Sequence, residues 1–210
     1  MSTLSGQTAF VTGGGTGIGR AIALELSAAG AEVLIHANRS VTEGEKLREE
    51  ITARGARCEF IQADLGTGEA ATAFFERALD TLGNLDIWIN NAGVDILTGE
   101  GAELSYEEKL EALIAVDLRA SILLARKAGS AMKEQGGVIL NMGWDQAAVG
   151  MEGESGELFG AIKGAVMAFT RSLALSLAPK VRVNCLAPGW IRTAWGEDCL
   201  LYTSPSPRDQ

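Results

Sequence analysis

The chain has 210 residues, a formal net charge of −9 and 47% hydrophobic residues, values typical of one acidic globular domain. This charge argues against a nucleic-acid-binding protein, which carries a basic patch or face. No apolar run reaches the roughly 20 residues of a membrane span, and no secretory signal is visible at the N-terminus. Three cysteines without metal-ligand spacing predict no metal site and a reducing compartment, the cytoplasm.

The first predicted unit is a strand, a glycine-rich turn and a helix. Residues 9–11 are apolar and the turn, Thr12–Gly19, reads TGGGTGIG. Apolar residues then recur at helical spacing, namely Ile18, Ile22, Leu26 and Ala29. In such a unit Gly13 permits a sharp turn, Gly17 permits approach to a pyrophosphate and Gly19 permits close packing of helix on strand. The helix N-terminus favours a diphosphate, although an ordinary tight turn is the alternative.

Strands and helices alternate along the rest of the chain. The further predicted strands are Glu32–Ala37, Arg57–Gln62, Ile87–Asn90, Gly137–Met142 and Val181–Ala187. The predicted helices are Val41–Arg54, Gly68–Leu82, Ser105–Gln135 and Gly156–Leu177. Apolar strands between amphipathic helices predict an α/β fold, a doubly wound parallel sheet with helices on both faces in three layers.

The end of the chain differs from the rest. Cys199–Asp209 has two prolines and no periodicity, and it resembles the translated end of a transposase-type sequencing adapter. We therefore expect residues 1–198 to form the domain and residues 199–210 to be a non-native tail. A disordered tail rich in serine and proline is the alternative.

Four motifs in a fixed order resemble those of the short-chain dehydrogenase/reductase family. They are Thr12–Gly19, Asp64-Leu65, Asn90–Gly93 and Asn184–Thr193. The resemblance covers residues 6–194 and implies a Rossmann-type fold with strand order 3-2-1-4-5-6. It also implies hydride transfer between NAD(P) and a small carbonyl or alcohol substrate. Members usually continue further, so we expect the last strand and most of the substrate lid to be missing.

The resemblance implies a set of coenzyme-binding residues. The diphosphate would lie at Gly13, Thr16, Gly17, Ile18 and Gly19, and the adenine would lie at Asp64, with Leu65 beside it. The adenine-side ribose would lie at Asn91, Ala92 and Gly93. The nicotinamide end would lie at Lys163, Pro188, Gly189, Ile191 and Thr193.

The residues after the second predicted strand bear on the choice between NADP and NAD. Ala37 occupies the position where an NAD enzyme needs an acidic group, and Asn38, Arg39 and Ser40 follow it. An arginine with a neighbouring hydroxyl suits a 2′-phosphate, so we expect NADP, with NAD as the alternative. Thr16 argues the other way, because many NADP-preferring members carry a basic residue at that position of the turn.

The acid/base part of the family pattern is altered. The family's Tyr-x-x-x-Lys segment reads FGAIK here, from Phe159 to Lys163, so the lysine is present and the proton-donating hydroxyl is absent. No serine stands at the family's position after the fifth strand, where residues 141–146 read NMGWDQ. The predicted catalytic residues are Lys163, Asp117 at the position of the family's helix asparagine and, as a substitute acid, Asp145, with Glu154 and Glu157 as alternatives.

Two functions stay open at this point. One is an NADP(H)-dependent oxidoreductase with a substitute acid, and the other is a catalytically silent NAD(P)-binding protein that acts as a sensor or a hetero-oligomer subunit. The helices Ser105–Gln135 and Gly156–Leu177 resemble the family's dimerisation pair, so we expect a homodimer or homotetramer. We expect no nucleic-acid or membrane partner. His36, the one histidine, is interpreted as a packed strand residue rather than a base.

Overall fold

A computed structural model describes residues 3–191 and 193 and shows a six-stranded sheet in the order β3-β2-β1-β4-β5-β6. The strands are β1 Thr8–Val11, β2 Glu32–Ala37, β3 Cys58–Gln62, β4 Ile87–Asn90, β5 Gly137–Met142 and β6 Val181–Leu186. Every neighbouring pair is parallel, so the predicted Rossmann-type architecture is confirmed. The predicted domain end near residue 198 and the tail 199–210 lie outside the described residues.

Seven α-helices are present in the described part of the chain. They are α1 Gly17–Ala28, α2 Val41–Ala53, α3 Gly68–Leu82, α4 Gly99–Ala102, α5 Tyr106–Leu113, α6 Ser121–Ala131 and α7 Glu154–Leu177. The four-residue α4 and the 3₁₀ turn Asp145–Ala148 were not predicted, because neither is long enough to show a periodic pattern. Helix α7 begins two residues before the predicted Gly156, directly after Gly153, whose φ is 88°.

The helix predicted at Ser105–Gln135 is wrong as a single α-helix. A π-helical segment, Ile114–Ala120, separates α5 from α6, and α6 ends at Ala131. Apolar periodicity does not reveal such a wider turn, because the apolar residues on either side keep approximately helical spacing. Segments of this kind occur frequently at functional sites, and this one contains the buried Asp117.

Two apolar clusters bury the two faces of the sheet. One contains Phe10, Phe74 and Trp88, and the other contains Val33 and Ile51. The face of α3 that packs on the sheet consists of five buried residues, namely Ala71, Phe74, Phe75, Ala78 and Leu82. Ile22 and Leu26 of the predicted stripe of α1 pack partly buried against the second cluster, and the fully buried residues of this helix are Gly19, Ala23 and Ser27. These small side chains allow α1 to lie close to β1, which leaves the larger aliphatic residues half-buried at its flanks.

Helix α7 is long and apolar enough, by length and composition alone, to cross a membrane. One such helix is a weak indication, because a core helix of a globular domain passes the same test. Here α7 packs on β5 and β6 and contributes Ile162 and Val166 to the interior.

Candidate functional site

The glycine turn is held by close contacts that exclude side chains. Gly13 has φ 64°, and a Cβ there would stand 2.8 Å from the Ala92 Cα atom. A Cβ on Gly19 would overlap the Gly13 carbonyl, which confirms that this glycine lets α1 approach the turn. Gly17, with φ 52°, begins α1 and lies next to the Thr193 methyl group. The turn therefore leaves the first amides of α1 near the carboxyl end of the sheet.

The wall beside the turn is formed by the residues after β4. The Thr12 hydroxyl accepts hydrogen bonds from the backbone N–H groups of Asn91 and Ala92, both at 3.0 Å. The Asn91 amide donates in return to the carbonyls of Thr12, at 3.1 Å, and Gly13, at 2.9 Å. A Cβ on Gly93 would stand 2.8 Å from an Asp117 carboxylate oxygen. Of the three residues predicted to contact a ribose, Asn91 and Ala92 thus also connect β4 to the end of β1, and Gly93 lies against Asp117.

The predicted adenine end lies at the carboxyl ends of β2 and β3. Asp64 is exposed, and its Oδ1 accepts the Gly66 N–H at 2.9 Å, while Leu65 beside it is buried. The carbonyl of Asn38 accepts from the Gln62 amide at 3.2 Å, which joins the two strand ends.

The two residues predicted to recognise a 2′-phosphate follow directly. The Ser40 hydroxyl oxygen lies 3.0 Å from the position a Cβ on Gly15 would take, so it adjoins the glycine turn. The Arg39 side chain is 84% exposed and approaches Glu100 at 3.7 Å. An exposed pair of this kind contributes little, so the guanidinium can turn towards another anion.

A buried ion pair joins the predicted lysine to the predicted aspartate. Lys163 Nζ lies 2.8 Å from Asp117 Oδ1, and the two side chains are 14% and 2% exposed. The second oxygen of Asp117 accepts the Val94 N–H at 2.9 Å. The π-helical segment places Asp117 against α7, so both oxygens of this buried carboxylate have partners.

A cavity of about 170 Å³ connects the glycine turn with this ion pair. Its lining consists of Ile18, Leu97, Gly143, Trp144, Met151, Ser155, Phe159, Lys163, Pro188, Gly189, Trp190, Ile191 and Thr193. Six of these belong to the predicted coenzyme-binding set: Ile18, Lys163, Pro188, Gly189, Ile191 and Thr193. Lys163 is the one ionisable side chain among the described lining residues. The rest of the wall is mostly apolar.

Phe159, the residue predicted to correspond to the family's tyrosine, lines the cavity. Its ring meets Trp144 edge to face, with ring centroids 6.2 Å apart. Ser155 lies one turn before it and Lys163 one turn after it, so the three share one face of α7. Sequence reasoning missed the Ser155 hydroxyl, although its spacing of four from Phe159 is the signal that could have revealed it.

None of the three predicted substitute carboxylates lines the cavity. Asp145 is exposed, its backbone N–H donates to the Pro188 carbonyl at 3.3 Å, and its Oδ2 accepts from Gln146. Glu157 is exposed and accepts from the Tyr106 hydroxyl at 3.3 Å, and Glu154 is exposed at the start of α7. The loop that carries Asp145 therefore supports the 188–189 backbone, and its carboxylate lies beside the lining residue Gly189.

The sequence model described as "short chain dehydrogenase" matches residues 7–199. A hydroxynaphthalene reductase-like protein of Metarhizium anisopliae is 33% identical over 193 residues, 91% of this chain and 70% of that protein. The chain belongs to the short-chain dehydrogenase/reductase family. A versicolorin reductase of Emericella nidulans is 34% identical over 90% of this chain and 71% of that protein.

Solved structures of short-chain dehydrogenases agree with the fold. One from Burkholderia cenocepacia, in complex with NADP, is 36% identical with a TM-score of 0.81 and covers 91% of this chain and 77% of its own. A blue fluorescent protein from a metagenomic library, in complex with NADPH, is 34% identical with the same TM-score and coverage. The family and its reductase-named members support oxidoreductase activity.

Proposed function

We propose that the chain binds NADP(H) and acts on a small carbonyl or alcohol compound in the cavity beside Lys163. The cavity carries this proposal, because it brings Ile18 at the start of α1 together with Lys163 and the loop that contains Pro188. The glycine turn fits a dinucleotide diphosphate, since the missing Cβ atoms of Gly13 and Gly19 let the turn close against Ala92 and let α1 start directly beside the turn.

The preference for NADP rests on charge at the adenine end. Ala37 leaves no carboxylate at the end of β2 to repel a 2′-phosphate, and Arg39 and Ser40 stand directly after it. Solved relatives in complex with NADP or NADPH support the same choice. Asp64 would border the adenine, as the family resemblance implies, and Asn38 would lie beside Arg39 at the 2′-phosphate end.

The proton site is the part that departs from the family. A bound nicotinamide supplies or accepts the hydride of the reaction. Phe159 has no hydrogen-bond donor, so we assign the proton transfer to the Lys163 ammonium, the ionisable group of the described lining. An ammonium is a stronger acid than an aliphatic alcohol, so its proton can pass from Nζ to the substrate oxygen. Asp117 positions that ammonium through its 2.8 Å contact, and Asp145 is the alternative acid.

A catalytically silent coenzyme-binding protein is the second candidate. The Lys163–Asp117 pair favours it, because a buried ammonium already matched by a carboxylate satisfies the site without any substrate. In this case the same cradle would bind NADP(H) as a sensor or as a subunit of a hetero-oligomer.

Two measurements separate these candidates. Nicotinamide fluorescence on titration with NADPH tests the binding that both share. Turnover of NADPH on a panel of small aldehydes and ketones then tests catalysis, with Lys163→Arg and Asp145→Asn compared with the wild type. Loss of turnover in Lys163→Arg alone supports the ammonium as donor, whereas loss in Asp145→Asn alone supports that carboxylate. NADPH binding without turnover on any substrate supports the silent protein.

We further propose a cytoplasmic homodimer or homotetramer that associates through α6 and α7. On α7 the Leu175 side chain is 84% exposed, and a Cβ on Gly160 would meet nothing within 4 Å, so this helix has an open apolar and small-residue face. Light scattering after size-exclusion chromatography tests this assembly, and Leu175→Glu should shift the protein to the monomer.

A further inference from the structure

His36 is buried at the meeting point of the glycine turn, β2 and the end of β3. Its side chain is 2% exposed. The Gly13 N–H donates to Nδ1 at 3.2 Å, and Nε2 lies 2.9 Å from the Ala63 carbonyl oxygen. The backbone carbonyl of His36 also accepts the Gly14 N–H at 2.8 Å. One residue thus holds two consecutive amides of the turn and the backbone just before Asp64.

These partners determine the tautomer of the ring. Because Nδ1 accepts the Gly13 N–H, it carries no proton, and Nε2 must carry the proton that it donates to Ala63. Burial lowers the pKa of His36 from its ordinary 6.5 to about 4. The charged group that acts on the ring is the Asp64 carboxylate, and the Phe74 ring of α3, at 4.7 Å between centroids, is uncharged.

The Gly13 peptide groups are consequently held from opposite sides. The His36 ring binds the N–H, and the Asn91 amide binds the carbonyl at 2.9 Å. The left-handed Gly13 is the residue at which the chain turns from β1 towards α1. Its orientation therefore sets where the first amides of α1 point.

We propose that His36 is a positioning residue for the dinucleotide, which aligns the diphosphate turn with the Ala63–Asp64 edge of the adenine pocket through one neutral imidazole. This inference rests on the proposed coenzyme binding. The ring is buried and is not among the residues that line the cavity. It acts by holding the glycine turn and the Ala63–Asp64 segment in fixed positions before the coenzyme binds, because the coenzyme must contact both segments at once.

Two substitutions separate the two hydrogen bonds. In His36→Asn the amide oxygen can replace Nδ1 as acceptor for Gly13, and the bond to Ala63 is lost. In His36→Gln the amide N–H can replace Nε2 as donor to Ala63, and the bond to Gly13 is lost. Phe74→Leu is the matched control, because it loosens the packing around the ring without removing either bond.

The first readout is the dissociation constant for NADPH at pH 8. Loss of a buried hydrogen bond corresponds to about a threefold to tenfold change in an equilibrium constant. We expect His36→Gln to weaken NADPH about tenfold, His36→Asn about threefold or less, and Phe74→Leu to leave the affinity within twofold. Equal affinities for the wild type and His36→Gln, or an equal loss in all three variants, would overturn the positioning role.

The second readout needs no coenzyme. Nitrogen-15 NMR should show an unprotonated Nδ1 and a protonated Nε2 at pH 7, and the Gly13 amide should lose exchange protection in His36→Gln while keeping it in His36→Asn. The opposite tautomer, or unchanged Gly13 protection in His36→Gln, would contradict the inference. If the wild type shows no affinity for NADPH, the proposed function fails, and Gly13 exchange still decides whether His36 positions the turn.

Discussion

The two ends of the cavity are built from different kinds of contact. At the glycine turn, backbone groups are held by neutral side chains: His36 and Asn91 bind the two peptide groups of Gly13. At the other end, the Lys163–Asp117 pair places two opposite charges in a buried position beside the phenyl ring of Phe159.

This difference is consistent with the proposal that one end keeps the family pattern while the proton site departs from it. The shape of the turn depends on missing Cβ atoms and on backbone hydrogen bonds, so most substitutions there would disturb the fold as well as the binding. The proton site depends on side-chain chemistry, and replacing a tyrosine with a phenylalanine preserves the packing. The first end can therefore stay intact while the second changes its reaction.

The largest expected effect on the reaction rate comes from introducing a hydroxyl at the Phe159 end of the cavity. In Phe159→Tyr the new phenol would lie between Ser155 and Lys163 on the cavity side of α7, and positioned proton transfer contributes about 10² to 10⁴ in rate. We expect turnover of a carbonyl substrate to rise by about 10², measured as NADPH consumption. Phe159→Leu, which adds no hydroxyl, should show no rise, and an equal rise in both variants would refute a proton-donor effect.

The ion pair gives the largest expected effect on stability. Lys163→Met leaves the Asp117 carboxylate buried without its cation, and breaking a buried pair in this way costs about 3–5 kcal/mol. We expect urea unfolding to show this loss. The double variant Lys163→Met with Asp117→Leu removes both charges and should recover a large part of it. A single variant as stable as the wild type would contradict the buried pair.

His36, at the glycine turn, predicts a pH dependence of the stability of the protein. The pKa of His36 is lowered to about 4, so the unfolded chain binds its proton more tightly. The free energy of unfolding is therefore unaffected by protonation of His36 above pH 6.5. It decreases as the pH falls from 6.5 towards 4, because the unfolded chain then takes up the proton that the folded chain does not bind. From the 6.5 to 4 shift we expect about 2 kcal/mol less stability at pH 5 than at pH 7.5, measured by urea unfolding. His36→Asn should lack this part of the slope, and an unchanged slope would exclude His36 as its source.

The smallest effect concerns the adenine edge. Arg39→Ala removes the exposed guanidinium proposed to meet the 2′-phosphate, and a charge-assisted hydrogen bond contributes about 1.5–3 kcal/mol. Because Arg39 lies at the surface, we expect the lower limit, about a tenfold loss of NADPH affinity with NADH affinity unchanged. The ratio of the two dissociation constants is the measurement. An equal loss for both coenzymes would contradict phosphate recognition by Arg39.

Much of the framework could be predicted from the sequence. Alternating strand and helix patterns predicted all six strands, and the glycine turn with its neighbouring motifs predicted which strand ends meet at the site. The π-helical segment was missed, because its effect on side-chain direction leaves no trace in apolar spacing. The direct contact of Asp117 with Lys163 depends on that segment and was missed for the same reason.

The positions of the site residues in loops and at the start of α7 were harder to predict from the sequence. Asp145 follows a strand at the carboxyl edge of the sheet, which favoured it as an acid, but its exposed carboxylate lies by Gly189. Ser155 lines the cavity because α7 begins two residues earlier than its apolar pattern indicated. The position of the Asp145 carboxylate depends on where its loop closes, and local sequence does not determine that closure.

Titration of NADPH with this chain, followed by nicotinamide fluorescence, tests the central claim most directly. We predict saturable binding at pH 8 that is weaker in His36→Gln than in His36→Asn. Failure of the wild type to bind either NADPH or NADH would contradict the coenzyme cradle on which the account depends.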